Sequence, residues 1–514
     1  MGRPIQWRTV LFIPCRPSLW QGLVLPGEMA LWLLVAILVL VSAYQHTQVL
    51  PRRSEATPLL PPQAKDDADA IIDAAFSSDI VYERIACMTD TFGPRFSGSD
   101  ALENALDWTR EEMEKDGLSV VEEYVMVPSW VRGREFARLL SPRVKELHMV
   151  GLGMSVGTPG KKSLVAKAIV VSSFQELDQR ASDVQGKIVV YNVNFDQGYS
   201  NTVKYRTLGA TRAEKYGAVA ALVHSMTPYG LQTPHTGATR TTGIPSAAIS
   251  VEDSRMLARM QARGQEIVIE LYMEAHMLPD KPSRNLIVEI KGAEKPDEVV
   301  VFGGHMDSWD IADGAMDDAG GAFVSWEVVR LIHQLKLRPH RTLRAVLFVN
   351  EENGAKGAEQ YYLNHKHESK LTSIAIESDE GTFTPLGISF QGSTAARSIL
   401  EQIGKAFLAG IGSGNVSGQS IGTDISPMCD AGVPCGSLVT LDPRVGSLSN
   451  NPCKTFSNPP YPDVNFGTSG YFWYHHTQSD TVDKLSPRQL QHCAATLAVW
   501  TYSIANLDFL LPRS

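Results

Sequence analysis

A chain of 514 residues is too long for one ordinary hydrophobic core, so two or three folded units are expected. Its 43% hydrophobic and 20% charged residues are those of a globular protein. A formal net charge of -9 leaves no broad basic footprint and excludes nucleic acid as a partner.

The apolar run ALWLLVAILVLVSA over residues 30–43 is short for a membrane span, which needs roughly 20 residues, and fits the core of a signal peptide, about 7–15. It ends in the small residues Val41-Ser42-Ala43, so cleavage there is expected. Residues 1–43 are therefore read as a signal peptide or N-terminal extension, with Met29 a candidate initiator and no stable membrane span; an uncleaved anchor is the alternative. A secreted or lumenal protein follows, and the sequon Asn415-Val416-Ser417 fits that route. Six cysteines without regular spacing or a C-x-x-C knuckle are not a disulfide framework; Cys429 and Cys435 are near enough to pair, although free thiols are the favoured reading.

Residues 44–66, with QVLPRRSEATPLLPPQAKD, read as a pro-segment or linker, because proline is frequent and no periodic apolar face exists. Helical periodicity runs through ADAIIDAAFSSDIVYERIACM and ALENALDWTREEMEKDG, separated by the turn GPRFSGSD, within a first part spanning 67–155. Residues 156–278 change character: short β-like runs such as KIVVYNV, AVAALVHS and EIVIELYM alternate with brief helical pieces and carry no cluster of ligand-type residues. This region is expected to be an inserted β-rich domain. From 279 to 514 apolar strands (LIVEIKG, EVVVFGGH, TLRAVLFVNEE, LTSIAIESDEG) alternate with amphipathic helices. That pattern predicts an α/β fold with a mixed, largely parallel sheet flanked by helices.

Open α/β sheets collect ligands at the carboxyl ends of their strands. His305 and Asp307 follow VVVFGG, Glu351 and Glu352 follow AVLFVN, and Asp379 follows IAIES. Asp317 lies on the loop after the first of these strands, and His476 in YHHTQSDT precedes the last helix. So many carboxylates at one edge raise each other's pKa unless a countercharge is present, which two divalent cations would supply. Mixed histidine and carboxylate ligands suit zinc, and a two-metal site uses a bridging carboxylate and a general base.

His305-Met306-Asp307, Asp317-Asp318, Glu351-Glu352, Asp379 and HTQSDT together resemble the co-catalytic dizinc exopeptidases of peptidase family M28. The resemblance covers nearly everything from about Ala68 onward, and it implies a zinc exopeptidase fold with two Zn2+ per chain. It implies His305 and Asp379 on one zinc, Asp317 bridging, and Glu352 with His476 on the second; His475 is the alternative to His476, which is preferred because it directly precedes TQSDT. It implies Glu351 as the general base for a metal-bridging water, and Asp307 as a hydrogen-bond partner fixing the His305 tautomer. A cis Asp317-Asp318 bond and a protease-associated-like middle domain are implied too. Small peptide substrates, chiefly dipeptides with free termini, a homodimer, and lysosomal, Golgi or endoplasmic reticulum pools complete the expectation.

Two other readings share the scaffold: a non-catalytic binding protein, which would lack the ligand set, and a membrane-anchored peptidase, which would keep the 30–43 run. Residues 441–470, rich in Pro, Asn, Ser and Gly, form a longer connection than the resemblance implies and are expected to be a surface loop or a lid. Asp310 and Asp313 are read as turn residues, Asp318 as support for the bridge, Asp480 as orienting the last loop, and Trp309 as packing or pocket lining.

Overall fold

The computed structural model describes Leu60 and residues 63–513, apart from 196–197, 228–229, 241–242, 419–420 and 443–469. The 30–43 run, the proline-rich stretch to residue 59, Cys15, Cys453 and most of the 441–470 connection lie outside the described residues.

Three helices come first, Gln63–Phe76, Ile80–Phe92 and Asp100–Lys115. The first begins inside the stretch read as linker, and the single periodic run over 68–88 is two helices. Ser77, Ser78 and Asp79 separate them: Ser77 Oγ donates to the Ala74 carbonyl at 2.7 Å, and Ser78 Oγ accepts the Ile80 amide at 3.3 Å. Short polar side chains thus compete with the helical ladder where periodicity alone ran on.

The strands, in chain order, are β1 (Val120–Val131), β2 (Glu135–Ser141), β3 (Lys145–Leu147), β4 (Met149–Gly151), β5 (Leu164–Val171), β6 (Ile188–Tyr191), β7 (Ala220–His224), β8 (Ser246–Ile249), β9 (Val268–Met273), β10 (His276–Ile290), β11 (Lys295–His305), β12 (Arg341–Phe348), β13 (Thr372–Glu377), β14 (Thr384–Ser389), β15 (Asn415–Ser417) and β16 (Cys435–Leu441). They form two eight-stranded sheets. The first has the order β1-β10-β12-β11-β13-β16-β14-β15, with β12, β11, β13 and β16 parallel and antiparallel strands outside them. The second has the order β3-β2-β9-β5-β6-β7-β8-β4. The mixed α/β architecture expected from the sequence is the one found.

The chain leaves the first sheet at the end of β1 and returns at the start of β10, where Val131 pairs with His276. Everything in the second sheet lies between those two residues. Its strands β2 to β4 precede residue 156, because their short alternating segments follow β1 without a change in composition.

Why the first sheet is covered on both faces is visible in its alternation. Val300 and Phe302 of β11, Leu343 and Leu347 of β12, and Ile374 and Ile376 of β13 point into one core with the helices Gly320–Gln334 and Pro487–Ala505. Val299, Val301, Val346, Phe348 and Ala375 point the other way, onto Ala358 and Tyr361 of the helix Lys356–His365. Each of the Val, Leu, Ile and Phe side chains among them contributes on the order of 1.5–3 kcal/mol by leaving water. With both faces occupied, the carboxyl ends of the parallel strands are where this sheet can present chemistry.

Cys429 and Cys435 are joined in a disulfide, a correction to the free-thiol reading: the helix Ser426–Asp430 and the turn after it bring the two Cα atoms to 5.8 Å.

Candidate metal centre

Strand register sets the first distances. His305 pairs with Phe348, the last residue of β12, and Gly303 pairs with Glu377, the last residue of β13. The segments after β12 and β13 therefore emerge on either side of His305, carrying Glu351 and Glu352 on one side and Asp379 on the other.

Between β11 and the helix Gly320–Gln334 the chain makes an irregular turn over Ala315–Ala319, and the Asp317-Asp318 bond is cis. Asp318 turns inward: its carboxylate accepts the amides of His305 and Gly321, both at 3.1 Å. A Cβ on Gly304 would stand 2.3 Å from that carboxylate, so glycine is required for the approach. Asp480 anchors the same turn from the far end of the chain, accepting the amides of Met316 at 2.7 Å and Asp317 at 3.1 Å.

The Asp317 carboxylate then points between two imidazoles. Its Oδ1 is 3.4 Å from His305 Nε2, and its Oδ2 is 3.3 Å from His476 Nε2. Asp379 Oδ1 is 3.6 Å from the same His305 nitrogen, and Glu352 Oε2 is 2.9 Å from the same His476 nitrogen. His305, Asp317, Glu352, Asp379 and His476 are thus brought to one place. Glu351 lines, with Asp317, Glu352, Asp379 and His476, a cavity of about 830 Å³.

His475 stacks on His476 with ring centroids 3.5 Å apart, and its Nε2 is 3.8 Å from Asp317 Oδ2. Asp317, His475 and His476 form one group of potential donors, and His305, Asp318 and Asp379 another. The Asp318 oxygens are already engaged by backbone amides, and His476 is the nearer imidazole with its nitrogen on both Asp317 and Glu352. The geometry favours Asp379 over Asp318 as an open donor, and His476 over His475.

His476 has φ of 60°, in the left-handed region that costs a non-glycine residue roughly 1–2 kcal/mol. Thr236, on the loop before β8, holds it there. The Thr236 amide donates to the His476 carbonyl at 3.0 Å, and the Thr236 carbonyl lies 3.3 Å from Nδ1. That leaves Nε2 turned to the carboxylates. The unit built on the second sheet therefore positions a residue of the site.

The hydrogen bond between His305 and Asp307 runs through the Asp307 backbone. The Nδ1 of His305 donates to the Asp307 backbone carbonyl at 2.9 Å, while the carboxylate is farther, at 3.6 Å. Asp307 instead accepts the amides of Glu351 and Glu352 and lies 3.2 Å from Ser97 Oγ. Asp310 is more than a turn residue: Arg132, at the end of β1, grips both of its oxygens, at 2.8 and 2.6 Å. Trp309 packs in the core of the second sheet, against Phe96.

The electrostatics test whether these residues suit a cation. His305 Nε2 and Asp317 Oδ2 are buried and lack a hydrogen-bond partner. Burial works against a charged His305, but Asp307, Asp317 and Asp379 outweigh it and push its pKa well up. Burial, then Asp317, pushes Glu352 well up; burial, then His475, pushes His476 well down. The 2.9 Å contact between those two would suit an ion pair, yet both shifts oppose charge separation. They are better described as two lone-pair donors in want of a shared positive centre. Two imidazole nitrogens with three carboxylates are donors that zinc accepts.

A model of peptidase family M28 matches residues 285–501. Carboxypeptidase Q of Homo sapiens is 43% identical over 457 residues, covering 87% of this chain and 91% of that protein. The chain belongs to peptidase family M28. Among solved structures, the peptidase M28 precursor of Shewanella amazonensis is 31% identical with a TM-score of 0.79, covering 88% of this chain and 99% of that one. A zinc aminopeptidase of Bacillus subtilis, 20% identical with a TM-score of 0.58 over 82% of this chain and 93% of its own, shares the fold.

As an M28 peptidase the chain is a hydrolase of the exopeptidase class, which sets aside the non-catalytic reading. No described helix is long and apolar enough to cross a membrane. Several side chains around this M28 site carried no signal in the sequence. Arg95 is fully buried; its Nε donates to the Met306 carbonyl and its Nη2 to that of Gly314, each at 2.9 Å, pinning the loop between His305 and Asp317. Tyr471 reaches Asp379 Oδ1 at 3.5 Å. Arg206 comes from the helix Tyr199–Glu214, in the middle region whose sequence carries no cluster of ligand-type residues.

Proposed function

We propose that this chain is a dizinc exopeptidase, secreted or lumenal, that hydrolyses small peptides, chiefly dipeptides with free termini. The observation that carries the proposal is the divided Asp317 carboxylate, which offers one oxygen toward His305 and the other toward His476 at 3.4 and 3.3 Å. Asp317 would bridge two ions, His305 and Asp379 would hold one, and Glu352 and His476 would hold the other. When bound, the ions supply Lewis-acid polarisation of the scissile carbonyl and bring water within reach of ionisation near neutral pH.

The protein's own part is positioning and proton transfer. Glu351 lines the cavity beside the five donors, takes a proton from the attacking water and returns it to the leaving amine. Asp307 holds the backbone of Glu351 and Glu352, Asp318 and Asp480 hold the turn that carries Asp317, and Thr236 holds His476. The second-sheet unit, in the role of a protease-associated domain, closes one wall of the cleft. A homodimer and lysosomal, Golgi and endoplasmic reticulum pools belong to the same proposal.

The test is zinc content of the purified protein alongside hydrolysis of a dipeptide panel, with and without a chelator. Two zinc ions per chain with chelator-sensitive cleavage support the reading. A single zinc, or cleavage indifferent to chelation, overturns the dizinc assignment.

A further inference from the structure

His476 is held from two directions. Thr236, on the second-sheet side, takes its carbonyl at 3.0 Å and faces its Nδ1 at 3.3 Å. The Trp309 ring, on the loop after β11 of the first sheet, packs beside its imidazole with centroids 5.7 Å apart. A residue at φ of 60° keeps that conformation only where its surroundings over-determine it, so what fixes these two neighbours also fixes His476.

Arg132, immediately after β1, ties both neighbours together. Its Nε donates to Asp310 Oδ2 at 2.8 Å and its Nη2 to Oδ1 at 2.6 Å, a two-point fork on the residue that follows Trp309. The same Nη2 lies 3.4 Å from Thr236 Oγ1, and Nη1 donates to the Gly151 carbonyl at the end of β4. Thr236 Oγ1 donates to that carbonyl too, at 2.8 Å, so guanidinium, hydroxyl and carbonyl close a triangle. Glu135 accepts the Gly151 amide at 2.9 Å and lies 3.4 Å from Nη1, completing the junction. The Arg132 side chain is only 10% exposed, which shields these bonds from water. Trp309 has little room to adapt, since a Cβ on Gly153 would stand 2.0 Å from its ring.

The start of the same loop is held separately. The Arg95 carbonyl accepts the Ser308 amide at 3.1 Å, its amide donates to Ser308 Oγ at 2.9 Å, and its Nε donates to the Met306 carbonyl at 2.9 Å. Loosening Arg132 therefore reaches Trp309, Asp310 and Thr236 without freeing His305.

We propose that Arg132 is a positioning residue for His476, and that it sets the affinity of the metal position assigned to His476 and Glu352; this deepens the dizinc reading above and rests on it. It acts by locking Thr236 to the Trp309 loop, so that Nε2 of His476 stays aimed at Asp317 and Glu352, at 3.3 and 2.9 Å. The consequence is asymmetry. Without Arg132 one metal position loosens, while that of His305 and Asp379 keeps its affinity.

The test measures zinc bound per chain across a graded chelator series for the full-length parent, Arg132→Met, Arg132→Lys, and Arg132→Met combined with Asp310→Asn. In Arg132→Met one zinc is expected to weaken roughly 10- to 100-fold with the other unmoved. Arg132→Lys, which keeps the charge without the planar fork, is expected to fall between. Equal weakening of both ions, or of neither, overturns the proposal. The double variant also removes the carboxylate that the fork grips, so it is expected to recover stability in urea without recovering zinc affinity. Recovery of both would show that the single variant suffered only from an unpaired charge, and would overturn the assignment.

Crystal structures of the metal-free parent and Arg132→Met separate this inference from the dizinc reading. A parent that takes up a single zinc sinks that reading, and the conformation of His476 then decides alone. A ring turned away, with φ out of the left-handed region, upholds Arg132 as the positioning residue; a His476 unchanged in the variant overturns it.

Discussion

The backbone amide of Glu351 donates to Oδ1 of Asp307 at 3.2 Å, so the carboxylate at the end of one parallel strand fixes the chain leaving its neighbour. Glu352 adds its own amide to Oδ2 at 3.4 Å. Asp307→Asn keeps one acceptor and turns a donor toward one of those N–H groups. Activity is expected to fall about 10- to 100-fold, with His305 still oriented by the Asp307 carbonyl. Steady-state kinetics with zinc analysis checks this; zinc lost at the His305 side with an unmoved kcat would return the carboxylate to His305.

Glu351→Gln removes the proton acceptor while keeping shape and volume. Turnover is expected to drop by on the order of 10²–10⁴, the usual worth of a positioned acid–base group, with zinc content equal to the parent's. Single-turnover assays on the zinc-loaded variant decide it, and near-normal rates would remove Glu351 from the chemistry.

Asp480 is buried, and its pKa is pushed up to about 7 by burial first and then by Asp317, while the Met316 and Asp317 amides pull the other way. Asp480→Ala orphans those two amides, at about 1–3 kcal/mol for each group left unpaired. Zinc affinity is expected to weaken roughly 10- to 100-fold as the Asp317 turn loosens. Competition against a graded chelator and a denaturant titration measure the two effects; zinc affinity equal to the parent would show that the turn holds itself.

Away from the site, His365 lies 2.6 Å from Glu123 and 3.2 Å from Glu368, and those carboxylates outweigh burial and raise its pKa to about 9. A raised folded pKa means the native state binds the proton more tightly. The stabilisation is therefore complete below about pH 6.5, the unfolded value, and disappears as pH climbs through about 9. His365→Gln should accordingly be less stable than the parent at pH 6, with the gap closing by pH 9 to 10. Urea titrations at several pH values follow it, and a gap that widens with pH would contradict the pairing.

Much of this was legible in linear order. The alternation of Val299 to Phe302 with its neighbours in β12 and β13 marks strands buried on both faces, and ligand-type residues stand immediately after those strands. His305, Glu351, Glu352 and Asp379 could be placed together because a parallel sheet forces its strand ends together, whereas Asp317 and His476, which lie on loops, were named by the resemblance to family M28. The break at Ser77 to Asp79 was not, since periodicity persists through a local competition for backbone hydrogen bonds. Neither was the earlier start of the second sheet, because β2 to β4 are short and follow β1 without a turn-rich boundary.

The chain's own text determined the α/β class, the residues at the strand ends and the family, since apolar periodicity and ligand spacing are local properties. Only the tertiary structure decided what holds them. Arg95 reaching across to Met306 and Gly314, Asp480 gripping the Asp317 turn, Thr236 setting the His476 ring and Arg206 entering the cavity from the second sheet all join residues far apart in sequence. Hydrogen bonds of that kind depend on where two folded surfaces meet, and no periodicity or spacing along a chain encodes that meeting.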